Sequence, residues 1–299
     1  MNPAPSVIIF TVLSGLGFGM LFWLGLGQAE TGGMIGFWLF AMAFILSGGG
    51  LLASTFHLGN PQRFWRAFSQ WQTSWLSREA ILAVAALGLM GLFGLRQVFF
   101  AQDWVWLGRA GAGLSLLTVL ATAMIYSQLK TVPRWNQPGT VVLFILLALA
   151  GGALITAQAG LAAGLFGLAG LAQLWVWYRG GQRFAEAGST LASATGLGGR
   201  GQLRLFEPPH TGRNYLLDEM VYRIGRKHAL RLRVIALLGM SILPAAIMLA
   251  SGAGLLAGGA GLLAAGLAGA VHLIGVFAAR WLFFAEAEHV VGLYYGRHS

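Results

Sequence analysis

Long apolar stretches constrain this chain more than any other feature. Eight of them recur along the sequence, and each is about 18 residues or longer, enough for a helix to cross the roughly 30 Å hydrocarbon core of a bilayer. They cover residues 7–27, 34–56, 80–100, 104–125, 140–157, 161–178, 230–249 and 261–284.

Composition agrees with this interpretation and excludes a soluble enzyme. Of the 299 residues 57% are apolar and only 9% are charged, whereas an ordinary soluble domain has roughly 25% charged residues. Residues 1–6 carry no Lys or Arg, so the first stretch is interpreted as a retained span and not as a cleaved signal. The sequence predicts an all-α fold, a polytopic membrane bundle of eight transmembrane helices that forms a single integral membrane domain over residues 1–299.

The charges separate the two ends of the predicted bundle. With eight spans, both termini and the loops 57–79, 126–139 and 179–229 share one face, which holds 17 of the 19 Lys and Arg residues. We call this end the basic face. The positive-inside rule places it, with both termini, in the cytoplasm. The net charge of +10 is therefore interpreted as a topology signal and as a surface for anionic lipid or for protein docking, and not as a sign of nucleic-acid binding.

Small and aromatic residues suggest how the bundle packs. Many of the 45 glycines stand four residues apart, such as Gly15 with Gly19 and Gly254 with Gly258, and small residues at this spacing let helices approach closely. Several tryptophans near the basic face, Trp135 among them, are interpreted as anchors in the headgroup zone.

Redox centres are restricted by what the sequence lacks. The chain has no cysteine, so it cannot ligate an iron–sulfur cluster through thiolates. A bis-histidine haem needs two histidines at similar depth, and His272 is the only one well inside a span, so no haem is predicted. Any metal centre must then belong to another subunit.

Two polar residues flank the loop between the second and third spans. His57 closes one span, and Glu79 opens the next, with Arg63 and Arg78 between them. In one interpretation Ser77 caps the third helix and Glu79 complements its dipole. In the other, His57 hydrogen-bonds a quinone carbonyl and Glu79 relays protons. The spacing alone leaves both open.

Ionisable groups also end the last span. Arg280 follows a nearly complete apolar stretch. Glu286 and Glu288 are expected to pair either with Arg280 or with the cationic loops, and a buried ion pair is the plainest interpretation.

Four segments together resemble a known family. They are residues 57–61 (His-Leu-Gly-Asn-Pro) with Arg63, residues 76–79 (Leu-Ser-Arg-Glu), Tyr126 followed by residues 131–135 (Thr-Val-Pro-Arg-Trp), and Arg280 with Phe283, Phe284 and His289. This pattern resembles the DmsC-like membrane anchor subunits of dimethyl sulfoxide reductase-type molybdoenzymes.

The resemblance implies a three-chain complex in a bacterial inner membrane. A molybdopterin catalytic subunit and a four-cluster, ferredoxin-like iron–sulfur subunit would sit on this anchor, which exchanges electrons with ubiquinone or menaquinone and holds no haem. His57 and Glu79 would carry the quinone chemistry, and Arg63, Arg78, Tyr126 and Arg280 would help to bind the quinone.

The direction of electron flow follows from the predicted side. A cytoplasmic basic face favours a quinone-reducing anchor of a sulfite dehydrogenase-type complex. The alternatives are a quinol-oxidising anchor of a dimethyl sulfoxide reductase-type enzyme and, in another class, a structural anchor or permease without a quinone site.

Overall fold

The computed structural model describes residues 1–29, 31–56, 59–156, 159–199, 201–204, 206–207, 215–220, 228–256 and 258–295, which form helices and loops without a strand. Eight helices in these ranges are long and apolar enough to span a membrane, which confirms the predicted fold class. They are α1 (Pro5–Gly25), α2 (Gly33–Thr55), α3 (Trp75–Phe100), α4 (Val105–Ser127), α5 (Pro138–Ile155), α6 (Ala159–Glu186), α7 (Ala229–Gly252) and α8 (Gly258–Ala285).

The eight helices form two four-helix bundles. In the first, α1 to α4 each contact the next helix and α4 returns to α1; α5 to α8 repeat this arrangement in the second. The bundles meet where α1 packs on α5, with further contacts of α4 on α5 and of α1 on α8. We call this junction the seam. Because α1 is the most buried of the eight helices, the core of the protein lies along it.

Glycines allow the close approach at the seam, as predicted for Gly19. A Cβ atom there would overlap the backbone of Ala148 on α5. Gly15 differs, since a Cβ at this position would meet no atom within 4 Å. The packing prediction was wrong for Gly254, in the turn after α7, and for Gly258, the first residue of α8, which have φ angles of +75° and +56°. Glycine is favoured there because it adopts positive φ without steric cost.

Both ends of the described chain lie at the basic face. The Met1 ammonium group donates to the carbonyl of Ala287, and the Val290 amide donates to the carbonyl of Thr131 at 2.9 Å. The predicted loop 179–229 is shorter than expected because α6 continues to Glu186. Its basic residues Arg223, Arg226 and Lys227 lie outside the described residues.

Candidate functional site

A carboxylate is buried where α3 meets α4. Glu79 is only 3% exposed, and Oε1 accepts a hydrogen bond from the Thr122 hydroxyl on α4. Ala83, Ala86 and Met90 are buried on the same helix, at the three- and four-residue steps that form one helical face. This face brings Glu79 against α4.

The start of α3 differs from the prediction. Ser74, not Ser77, is the N-cap, and its hydroxyl accepts a hydrogen bond from the Ser77 amide at 3.4 Å. The helix thus begins at Trp75. The free amides of a helix start are concentrated in its first turn, and Glu79 lies beyond that turn. The capping interpretation therefore accounts for neither Ser77 nor Glu79.

An aromatic cluster surrounds Tyr126 in the last turn of α4. Its ring centroid lies 5.4 Å from that of Trp135, 5.8 Å from Phe144 and 5.4 Å from Phe283. Trp135 is itself buried, stacks on Phe283 and donates its indole N–H to the Phe283 carbonyl at 2.8 Å. Trp135 is therefore part of the core and not the lipid-facing anchor that its position predicts.

Arg280 of α8 lies at the seam, where it lines a cavity together with residues of α1, α4 and α5. Its side chain is 3% exposed, and its guanidinium carbon lies 3.4 Å from the ring centroid of Phe144 on α5. Such contacts with an aromatic face stabilise a cation electrostatically. Arg280 Nε has no hydrogen-bond partner among the described residues, and Tyr126 lies near both Arg280 and Glu79.

Of the two partners predicted for Glu286, Arg280 and the cationic loops, the structure shows the second. Glu286 accepts from Arg134 of the loop between α4 and α5 and from Arg233 of α7, with a shortest distance of 2.8 Å. Burial lowers the pKa of Arg134, and the neighbouring Glu286 carboxylate opposes that change. Glu286 meets these partners because it lies beyond the end of α8, at the level of the basic face, whereas Arg280 lies within the helix.

The structure brings three of the six predicted site residues together: Glu79, Tyr126 and Arg280. Arg63 is exposed on the 3₁₀ helix Pro61–Phe68. Arg78 donates to the carbonyls of Trp71 at 2.9 Å and Gln72 at 2.7 Å, which fastens the loop before α3. His57 lies outside the described residues, so its predicted role stays a prediction.

Two further residues belong to the buried group but were missed from the sequence. Thr122 donates a hydrogen bond to Glu79, and the ring of Phe144 lies against the Arg280 guanidinium. Thr122 stands four residues before Tyr126 and so shares its helical face, which was an available signal. Phe144 offers no comparable signal, because it is one apolar residue among many in α5.

His272 of α8 is buried against α7, at a place apart from the Glu79–Thr122 contact. Its ring is 3% exposed, and Nδ1 lies 3.0 Å from the carbonyl of Met240 on α7. A carbonyl can only accept, so Nδ1 carries the proton and Nε2 keeps its lone pair. No group of three or more His, Cys, Asp or Glu side chains suited to a metal ion occurs in the described ranges.

The fold and the buried site define an integral membrane protein that holds charged groups between two helical bundles. The family model for the DMSO reductase anchor subunit (DmsC) matches residues 1–174. The chain therefore belongs to this family and is the membrane anchor subunit of an oxidoreductase complex.

Two curated relatives support the assignment. One is a sulfite dehydrogenase subunit of Allochromatium vinosum, which is 30% identical over 99% of both chains. The other, anaerobic dimethyl sulfoxide reductase chain YnfH of Escherichia coli, is 30% identical over 50% of this chain and 55% of its own. No solved structure matches the chain.

Proposed function

We propose that this chain is the quinone-reactive anchor of a complex that oxidises sulfite and reduces quinone. The observation that carries this proposal is the buried Glu79 carboxylate, which accepts a hydrogen bond from Thr122 and lies near Tyr126, itself a neighbour of Arg280. Ionisable groups at membrane depth are costly and are therefore candidates for function. The relative that aligns over its full length is named as a sulfite dehydrogenase subunit.

The buried group suits a quinone head group chemically. Quinone carbonyls accept hydrogen bonds, and the guanidinium of the buried Arg280 carries four N–H donors besides the one at Nε. The Tyr126 hydroxyl is a second possible donor. His57, which closes the predicted second span, would supply a third.

Each residue has a distinct task. A quinone carries two electrons and two protons between its oxidised and reduced forms. Arg280 holds a fixed positive charge that stabilises negative charge developing beside it. Glu79 exchanges protons at its carboxylate, and Thr122 keeps that carboxylate in one orientation. Phe144 and the aromatic rings around Tyr126 exclude bulk water, which strengthens these electrostatic interactions.

The basic face is the proposed docking surface for the iron–sulfur subunit, which in turn carries the molybdopterin subunit. Arg63 and Arg66 are exposed there beside Trp65, which is 58% exposed. Arginine and aromatic side chains are enriched in protein interfaces. The positive-inside rule places this docking surface in the cytoplasm of a bacterial cell.

A second candidate function rests on the other relative. The match to an anaerobic dimethyl sulfoxide reductase chain covers half of this sequence, and the same buried group would serve a quinol-oxidising anchor. Electron flow from quinol to an oxidised substrate of the complex, without the reverse reaction with sulfite, would favour this alternative.

The test uses Glu79→Gln and His57→Ala in the assembled complex, with Glu186→Gln as the matched control. Each site variant should lower quinone-linked turnover about 100-fold or more, the usual scale for a lost acid–base group, while turnover with an artificial electron acceptor is unchanged. Glu186→Gln should leave both unchanged because Glu186 pairs with Arg179 and Arg183 at the surface. Wild-type quinone turnover in Glu79→Gln would overturn the proposed site.

A further inference from the structure

Three cavities follow one another from the basic face into the seam. The outermost is a groove of about 360 Å³ between α6, α7 and the end of α8. A second cavity of about 20 Å³ shares Arg134 and Glu286 with the groove. A third, also about 20 Å³, shares Arg280 and Leu147 with the second. Its wall includes Thr122, the hydrogen-bond donor to Glu79.

The two inner cavities match water and not a quinone. A volume of about 10–15 Å³ is enough for one water molecule if two or more polar groups line it. Arg280 lines the third cavity, and its Nε is a donor that has no hydrogen-bond partner among the described residues. The cavity also offers acceptors, since the hydroxyls of Thr11 and Ser14 already donate to backbone carbonyls, and His272 Nε2 keeps a lone pair.

We propose that these cavities form a water-mediated proton route from the basic face to Glu79, past Arg280 and the Thr122 hydroxyl. The inference rests on the proposed quinone function. Reduction of a quinone takes up two electrons from the iron–sulfur subunit and two protons from the aqueous phase. Glu79 is buried, so it needs such a route to recover each proton that it gives up.

Glu286 is the positioning residue of this route. Three guanidinium groups, those of Arg134, Arg233 and Arg280, stand along it and repel an incoming proton. The Glu286 carboxylate contacts the first two, with Arg233 at 2.8 Å, and lies between the groove and the second cavity. Its negative charge offsets theirs and lowers the electrostatic barrier.

The first test replaces Glu286 by Gln in the assembled complex, with Glu186→Gln as control. Glu186 also pairs with two arginines at the same face, Arg179 and Arg183, but lines none of the three cavities among the described residues. Glu286→Gln should lower kcat for quinone about tenfold, the lower end of the range for electrostatic effects on rates, with KM and the affinity for a fluorescent quinone analogue unchanged. Acetate should restore part of the rate, because it replaces the lost carboxylate in the groove.

The second test blocks the third cavity without removing a charge. Gly15 lines this cavity, and a Cβ there meets no atom within 4 Å, so Gly15→Leu fills the space without displacing a neighbour at Cβ. Gly113→Leu is the control, since Gly113 is equally open but exposed on α4. Gly15→Leu should slow quinone turnover as Glu286→Gln does, and acetate should not restore it, because the block lies inward of the groove.

A third measurement does not depend on turnover. The infrared C=O band of the protonated Glu79 carboxyl group shifts when its proton exchanges for deuterium. The band is assigned by its loss in Glu79→Gln and is recorded at a pH where it is present. Exchange after transfer to D₂O should be slower in Glu286→Gln and in Gly15→Leu than in their controls.

The outcomes separate the two proposals. The proton route would be refuted if proton exchange and quinone turnover in Glu286→Gln and in Gly15→Leu ran at the rates of their controls while Glu79 was still required for turnover. The quinone site would then stay intact. Full quinone turnover in Glu79→Gln would instead remove the quinone site on which the route depends.

Discussion

The side chain of His289 makes the stability of the segment after the last span depend on pH. It lies just beyond α8, and its Nδ1 accepts a hydrogen bond from the Val291 amide at 3.0 Å. Burial lowers the pKa of His289 below its ordinary value of 6.5. The folded protein therefore holds this ring neutral at a pH where the unfolded chain already binds a proton.

This difference predicts that acid weakens the C-terminal segment. Because the pKa is lowered in the folded state, the contribution of His289 to stability is complete above 6.5 and is lost as pH falls through the lowered value. Amide hydrogen exchange of residues 290–295, corrected for its intrinsic pH dependence, should show less protection at about pH 5.5 than at about pH 7.5.

The matched variant is His289→Asn, whose side-chain oxygen can accept the same hydrogen bond but does not titrate. Protection of the segment in this variant should not change between the two pH values. An equal loss in the variant and in the wild-type protein would assign the effect to another group.

Sequence reasoning identified the charged residues of the site but not their partners. Glu79, Tyr126 and Arg280 stand out because polar groups are rare in apolar spans. Which of them meet depends on helix rotation and depth, and these follow from packing that no single span encodes. The sequence therefore left the partner of Glu286 open between Arg280 and the cationic loops, and it missed Phe144 of another helix.

At the scale of the element, α7 is shaped by one proline. Pro244 has no N–H to donate, so the carbonyl of Met240, four residues earlier, loses its usual helical partner. The helix makes a π turn over Leu238–Ile242, and His272 of α8 donates to the Met240 carbonyl at 3.0 Å. An imidazole deep in the bundle thus satisfies the backbone group that the proline leaves free.

A double-mutant cycle tests this coupling. His272→Ala should destabilise the protein by about 1–3 kcal/mol, because it leaves a buried carbonyl unsatisfied. The cost should be smaller in a Pro244→Ala background, where residue 244 regains an N–H for Met240. Unfolding free energies in mixed micelles measure the difference, and the packing loss common to both backgrounds cancels. Equal costs in the two backgrounds would contradict the coupling.

Element boundaries were predictable where composition changes sharply and less so where it does not. The apolar stretches placed all eight spans, yet α3 begins at Trp75 and α6 continues to Glu186, beyond the predicted limits. Both extensions are polar turns at the basic face, where a helix leaves the hydrocarbon without ending. Hydropathy predicts where the chain leaves the hydrocarbon. The helix itself begins or ends at a capping residue such as Ser74 or at a loop.

At the scale of the whole molecule, the most general prediction is the orientation of the protein in the membrane. The basic face holds the loop before α3, whereas the turn between α3 and α4 lies at the opposite end. The chain has no cysteine, so single substitutions at exposed positions can report each side without a background signal. Ser69 and Gln102 are exposed in these two segments.

We expect an impermeant thiol reagent to label Gln102→Cys in intact spheroplasts and Ser69→Cys only in inverted vesicles, because the positive-inside rule keeps the basic face in the cytoplasm. The unsubstituted chain provides the unlabelled control. Labelling of Ser69→Cys in spheroplasts would reverse the topology and place the docked subunits on the outer side.

The central position of α1 also sets an order for biogenesis. This helix leaves the ribosome before the other seven, yet its partners at the seam include α5 and α8, which are synthesised later and last. The side of α1 that packs on α5, where Gly19 meets Ala148, must therefore face lipid or an insertion chaperone until those helices are made. Membrane insertion of α1 and its burial in the finished protein are thus separate events, and the second is complete only when α8 arrives.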